Sequence, residues 1–295
     1  MLGGQIAALT AAFLWALSTV LFGRLGKSLR PLPLNLAKGL IASVLIAATL
    51  LVQADIQPEL PTNAVFWLLL SGAVGIGLGD TAYFTALNLM GARRVLLMES
   101  LAPALTALLA LLFLKEQLAW TAWVGILLTL VGVAWVISER VPDATGVPMQ
   151  PWQGAFWGIL AALGQASGSV MSRGALANTT VDPLWSSLLR ITAGAIVLLA
   201  LFSTQRHKIA QLRPLKSRNI LLLVILAAIM ATYLGIWLQQ VSFKYTPAGI
   251  AQALLATSPL FVIPIAVLMG DRVTWRAILG VLIAIAGIWL LISST

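Results

Sequence analysis

Apolar residues in this chain run on in stretches of about twenty, separated by short gaps that collect Arg, Lys and Pro. About twenty apolar residues in a helix span the hydrocarbon layer of a bilayer, so each stretch predicts one membrane-crossing helix. Ten can be marked, helices 1 to 10, at roughly 4–23, 34–53, 64–90, 95–114, 119–138, 153–172, 184–203, 219–243, 248–269 and 275–293. Helix 1 has neither a basic lead-in nor a small-residue cleavage site, so it is expected to be a retained helix and not a leader. The pattern predicts an all-α integral membrane protein of ten transmembrane helices.

Composition supports that solvent. Over 295 residues, 60% are hydrophobic and 9% charged, and mean hydropathy is +0.99, too little polar material to cover a water-exposed globule. The absence of cysteine removes disulfides, thiolate metal sites and thiol nucleophiles, and a single histidine, His207, leaves little for an imidazole site, so no metal or other cofactor is expected. A net charge of +9 with a pI near 10.7 would admit nucleic acid, but the basic residues sit in the gaps between apolar runs and read as topology signals. Thirteen Lys and Arg lie on one set of loops, among them Arg24, Arg93, Arg140, Arg213 and Arg276, against Lys115, Arg173 and Lys244 on the other. The positive-inside rule makes the first set cytoplasmic and places both termini on the outer, periplasmic side of a bacterial-type inner membrane.

An internal repeat organises the run of helices. Residues 79–103 match 235–259 at a constant offset of 156, pairing Gly79 with Gly235, Ala92 with Ala248 and Pro103 with Pro259; at offset 155, Glu116, Trp120, Gly125 and Gly132 pair with Asp271, Trp275, Gly280 and Gly287. Pro31 followed by Lys38 likewise pairs with Pro183 followed by Arg190. The chain therefore divides into a first repeat at 1–140, a linker at 141–151 rich in Pro, Asp, Thr and Gly, and a second repeat at 152–295. Because five helices is an odd number, the two copies enter the membrane from opposite sides, giving two inverted five-helix repeats.

The duplicated pattern of Ala92, Pro103, Leu114-Lys115-Glu116-Gln117-Leu118, Gly125 and Gly132, repeated as Ala248, Pro259, Gly270-Asp271-Arg272-Val273, Gly280 and Gly287, resembles the drug/metabolite transporter superfamily, in its ten-helix members built of two EamA modules. Lys38 and Arg190 match the basic residue those members carry early in the second helix of each half, and Lys38 and Asp271 depart from the more usual Arg and Glu. The resemblance implies alternating-access export of small metabolites, notably amino acids, through a cavity lined by helices 1, 3, 4, 6, 8 and 9.

Four ionisable groups lie within predicted spans, where each costs several kcal/mol unless it has work or a partner. Asp80 and Glu99 read as carboxylates able to take up a proton or a cation, or else as members of ion pairs with Lys38 or Arg190. Lys38 and Arg190 suit anchoring or gating, although Arg could grip a substrate carboxylate. Trp15, Tyr83, Gln165, Trp237, Gln239 and Gln252 interrupt otherwise apolar spans and would line a cavity for an amphipathic solute; interhelical hydrogen bonding is the plainer use of such residues. Asp80, Tyr83 and Leu87 share one helical face. Pro103 and Pro259 read as hinges. Trp67, Trp120, Trp123, Trp152, Trp185, Trp275 and Trp289 fall near predicted helix ends and read as interface anchors.

The expected function is secondary transport of small metabolites, most plausibly export of aromatic or other neutral amino acids, by a monomer in the bilayer with a proton as a candidate coupling ion. A multidrug or cationic-compound exporter with a carboxylate coupling site is the alternative. An intramembrane enzyme built on Asp80 and Glu99 lacks a metal motif, a Ser/His pair or a nucleotide loop, and the absence of a Walker sequence excludes a self-contained ATP-driven pump.

Overall fold

The computed structural model describes residues 1–26, 28–53, 60–140, 150–205, 208–268 and 274–294. The linker at 141–149, His207, and the Gly270, Asp271 and Arg272 of the second motif lie outside them. All ten predicted helices are present. Helix 1 is Leu2–Leu25, helix 2 Pro31–Val52, helix 5 Trp120–Arg140, helix 6 Pro151–Leu176, helix 7 Pro183–Ser203 and helix 10 Trp275–Ser293. Helix 3 occupies Thr62–Met90 and helix 8 Arg218–Tyr245. Helix 4 is built from Ala92–Glu99, Ala102–Leu109 and Ala110–Leu114, and helix 9 from Ala248–Leu255 and Ser258–Leu268. Among the described residues, eight of these are long and apolar enough to cross a membrane on that basis alone; helix 1 has a shorter apolar stretch, Leu2–Ser18.

Prolines and short polar side chains set the helix starts. Pro31 and Pro183 occupy first-turn positions, where the missing N–H is no loss. Asp182 caps helix 7 by accepting from the Leu184 N–H at 2.6 Å, and Thr274 caps helix 10 by accepting from Ala277 at 3.2 Å. Helix 6 runs to Leu176, past Arg173, which a reading by apolarity assigns to a loop.

Two backbone irregularities recur at the repeat offset. Helix 3 widens into a π-helix over Gly72–Gly79, and helix 8 does the same over Ala228–Leu234. Helix 4 breaks at Ser100 and Leu101, helix 9 at Ala256 and Thr257. Each pair is separated by the 156 residues of the sequence register. Such irregular turns are tolerated at membrane depth where neighbouring helices bury them.

The two repeats interlock. Helix 1 lies along helix 8 and helix 6 along helix 3, while helix 5 pairs with 10, 4 with 9 and 2 with 7. Each spatial lobe therefore mixes the repeats: helices 3 and 4 pack with 6 and 7, and helices 8 and 9 pack with 1 and 2. Small residues permit the crossings. A Cβ on Gly72 would collide with the backbone carbonyl of Arg190, and Gly75 and Gly79 lie against Gly168 and Gly164, where a Cβ on either helix 6 glycine would sit 3.1 Å from the opposing Cα. Outside, Trp67, Trp120, Trp152, Trp275 and Trp289 are exposed, as anchors in a headgroup layer would be.

Candidate functional site

Helices 1, 2, 3, 6, 7 and 8 converge on a cavity of about 210 Å³ between the two lobes. Lys38 and Arg190 each stand seven residues into a helix that starts at a proline, roughly 10 Å from the helix start at the α-helical rise. Their helices, equivalent in the two repeats, bring both long side chains to the lining of the same cavity. Duplication thus turns one sequence position into two cations at one site.

The other polar groups come from all around. Asp80, the first residue after the π segment of helix 3, accepts a hydrogen bond at its Oδ2 from Asn35 Nδ2 at 2.6 Å. No ion pair closes between Asp80 and Lys38 or Arg190 among the described residues. The Lys38 ammonium instead lies 4.4 Å from the centre of the Phe22 ring. Arg190 is 1% exposed; its Nη1 donates to Gln239 Oε1 at 3.1 Å, while its Nε has no hydrogen-bond partner among the described residues. Trp15 crosses between the repeats, its indole N–H donating at 2.9 Å to the Ala231 carbonyl inside the π segment of helix 8. Gln165 and Thr232 complete the polar lining.

Of the residues singled out from sequence, Trp15, Lys38, Asp80, Gln165, Arg190 and Gln239 line this one cavity. Lys38 and Arg190, read as gating residues, stand in its wall. Tyr83, Trp237, Glu99 and Gln252 are not in its lining. Tyr83 packs against Ala86, Met90 and Val95, and Trp237 against Ile46, Leu50 and Leu184. Glu99, at the helix 4 break, is within electrostatic reach of Asp80 and has a buried Oε2 without a partner among the described residues. Gln252 accepts from Ser169 at 3.1 Å, an interhelical bond of the plainer kind. Pro103 and Pro259 each hold the second position of the segment after a break, so they start new helical segments instead of kinking continuous ones. Asn35 and Thr232 were missed; Asn35 stands three residues before Lys38 on the same helical face, which was the available signal.

A larger space of about 560 Å³ lies between helices 3, 4 and 6. It is open on the bundle's flank, with Trp67 44% and Phe113 72% exposed, and no charged side chain lines it. Its polar groups are the uncharged side chains of Asn63, Ser167 and Thr179, set in a mainly apolar wall.

One end of the cavity's surroundings is tied shut. Arg173 on helix 6 donates from Nε to Glu116 Oε1 at 2.6 Å and from Nη1 to the Phe243 and Lys244 carbonyls of helix 8, both at 2.8 Å. Glu116 Oε2 accepts from the Ala248 N–H at the start of helix 9 at 2.9 Å, and Lys244 Nζ donates to the Val181 carbonyl at 2.7 Å. Every bond but the first joins one spatial lobe to the other. Lys115, left-handed at φ 55°, turns the chain ahead of Glu116. A carboxylate against a helix N-terminus and a guanidinium over helix C-terminal carbonyls both follow the helix dipole.

The EamA-like transporter family matches residues 2–138 and again 152–293. An uncharacterized protein of Pseudomonas aeruginosa, PA1977, is 32% identical over 144 residues, 48% of each chain, so the chain spans about half the length of that relative in the match. A solved protein crystal structure superposes with a TM-score of 0.80 over 97% of this chain and 95% of that one at 17% identity, which shows a shared fold.

Proposed function

The chain belongs to the EamA-like transporter family, and on that premise we propose that this multi-pass membrane transporter exports small neutral metabolites, amino acids first among them, by alternating access. The observation that carries the reading is the cavity between the lobes, lined by two cations, one carboxylate and neutral amides. A zwitterion needs both signs of charge within a few ångströms and polar groups that tolerate varied side chains. The cavity, of about 210 Å³, is of a size for a small solute such as a free amino acid.

The moving bodies in this reading are the mixed lobes, helices 3, 4, 6 and 7 against 8, 9, 1 and 2, since the sequence halves are interleaved. The Glu116–Arg173 cluster holds them together at one end, assigned by the charge bias to the outer face of an inner membrane. Breaking it while the opposite end closes would pass the cavity from one side to the other. Asp80, with Glu99 nearby, is the group through which a proton gradient would act. The protein works as a monomer.

The test is uptake of labelled threonine and phenylalanine into proteoliposomes, with and without a pH gradient, for the native chain, Asp80→Asn and Glu99→Gln. Saturable uptake that unlabelled amino acids compete, and that the gradient accelerates only with the carboxylates intact, is the expected result. Uptake of a lipophilic cation but of neither amino acid would replace this reading with the cationic-compound exporter.

A further inference from the structure

We propose that Arg190 and Lys38 together form an anion-receiving subsite that takes the carboxylate of the substrate, and that this pair, not Asp80, sets which compounds enter. The proposal deepens the amino-acid reading and rests on the cavity described for it. Three observations carry it.

Arg190 is buried, yet its guanidinium is only partly used. Nη1 is committed to Gln239, Nη2 lies beside Gly75, whose missing side chain leaves it room, and Nε has no partner among the described residues. A buried donor on a charged group without an acceptor is costly and uncommon, and an arginine edge is shaped for an oxyanion. Lys38 has the same vacancy in another form: its ammonium makes no hydrogen bond among the described residues and rests over Phe22. Both groups line the same space.

Asp80 lies within electrostatic reach of both cations and offsets one of the two positive charges, not both. It makes no contact ion pair with either cation and is engaged by Asn35. With two cationic side chains and one carboxylate around the space, formal charge favours an incoming anion. An ammonium group, if the substrate has one, finds Asp80 and the Gln165 amide in the same lining. The carboxylate is thus the required part of the ligand and the amino group the accessory part. Amines without an acid are rejected by like charge, a form of selectivity that acts through repulsion as much as attraction.

The experiment is a thermal-stability titration of the full chain in nanodiscs, because a ligand that binds the folded state raises the melting temperature without any assumption about what is transported. The probes are butyrate, threonine and phenylalanine, matched with butylamine, threoninamide and phenylalaninamide. Stabilisation by the acids at concentrations at least tenfold below those needed for the matched amine or amides is expected. Arg190→Gln should weaken the acids about tenfold or more, Lys38→Gln less, and Arg190→Lys should recover part of the loss. The ratio of acid to amine is the telling readout, since a purely structural role would lower stability without moving it.

Equal or stronger stabilisation by the amine and amides, or no stabilisation by any carboxylate, overturns the subsite. If Arg190→Gln does not fold, the native chain and Lys38→Gln still decide. Binding of butyrate but of neither amino acid would keep the subsite and remove the amino-acid reading, whereas amino-acid uptake indifferent to the carboxylate would do the reverse.

Discussion

The two repeats share their backbone devices and divide their chemistry. Each widens its third helix into a π segment, Gly72–Gly79 and Ala228–Leu234, breaks its fourth one register later, and sets a cation seven residues into its second. Yet Asp80 and Glu99 have Ile236 and Leu255 as counterparts, and the second repeat offers Thr232, Gln239 and Gln252 instead. Features needed to build a two-fold bundle and to bend it are required twice. The two cations are duplicated as well and meet at the same space, whereas the acids occur once; a second pair of acids at the equivalent positions would crowd like charges together.

The π segments are where that comparison breaks hardest. Gly72 faces the Arg190 carbonyl with no room for a Cβ, while its counterpart Ala228 already carries one, fully buried. Gly72→Ala is expected to be severe, with backbone forced apart at the helix 3 and 7 crossing and a loss of most folded protein by size-exclusion chromatography in detergent. Ala228→Gly removes only a methyl and some helix propensity, about 1 kcal/mol, and should lower the melting temperature by a few degrees. Equal tolerance at both positions would show that the helices can part without cost.

An intermediate effect is expected at the tied end. Glu116→Gln keeps the shape but loses the charge that holds Arg173 and the helix 9 amide; hydrogen bonds to charged groups contribute about 1.5–3 kcal/mol, so the balance should shift about tenfold or more toward separation of the lobes there. With no native cysteine in the chain, a Thr232→Cys probe should react about tenfold faster with an impermeant maleimide added from that side. Unchanged labelling would mean that the cluster only staples loops. The smallest effect tests the corner before it. Lys115 is left-handed where the second copy has Gly270, and Lys115→Gly should relieve about 1 kcal/mol of strain, read as a slightly higher melting temperature.

Much of this was legible in the residues. Apolar run length located ten helices because lipid demands it, and the Pro-to-Lys or Pro-to-Arg spacing exposed the inverted duplication. The misses have physical causes. Pro31 was left outside helix 2, although a proline costs nothing in a first turn. Arg173 reads as a loop residue because its charge, in the folded chain, is spent on helix 8 carbonyls 70 and 71 residues away. The breaks in helices 4 and 9 precede the prolines that were read as their cause. Tyr83 shares a helical face with Asp80, but a face is wider than a cavity: it packs on the Ala86, Met90 and Val95 cluster while staying within electrostatic reach of Asp80 and Glu99. Interleaving of the lobes was invisible, since periodicity along one helix does not say which helix covers it.

Interleaving also has a consequence in time. The Trp15 indole finds its acceptor, Ala231, 216 residues later in the chain. At ~5–20 residues per second, a ribosome takes roughly 10–40 s to supply it. Helix 1 is made well before helices 8 and 9, which bury its alanines Ala8, Ala12 and Ala16 in the folded chain. A segment made early reaches its final packing only late in synthesis.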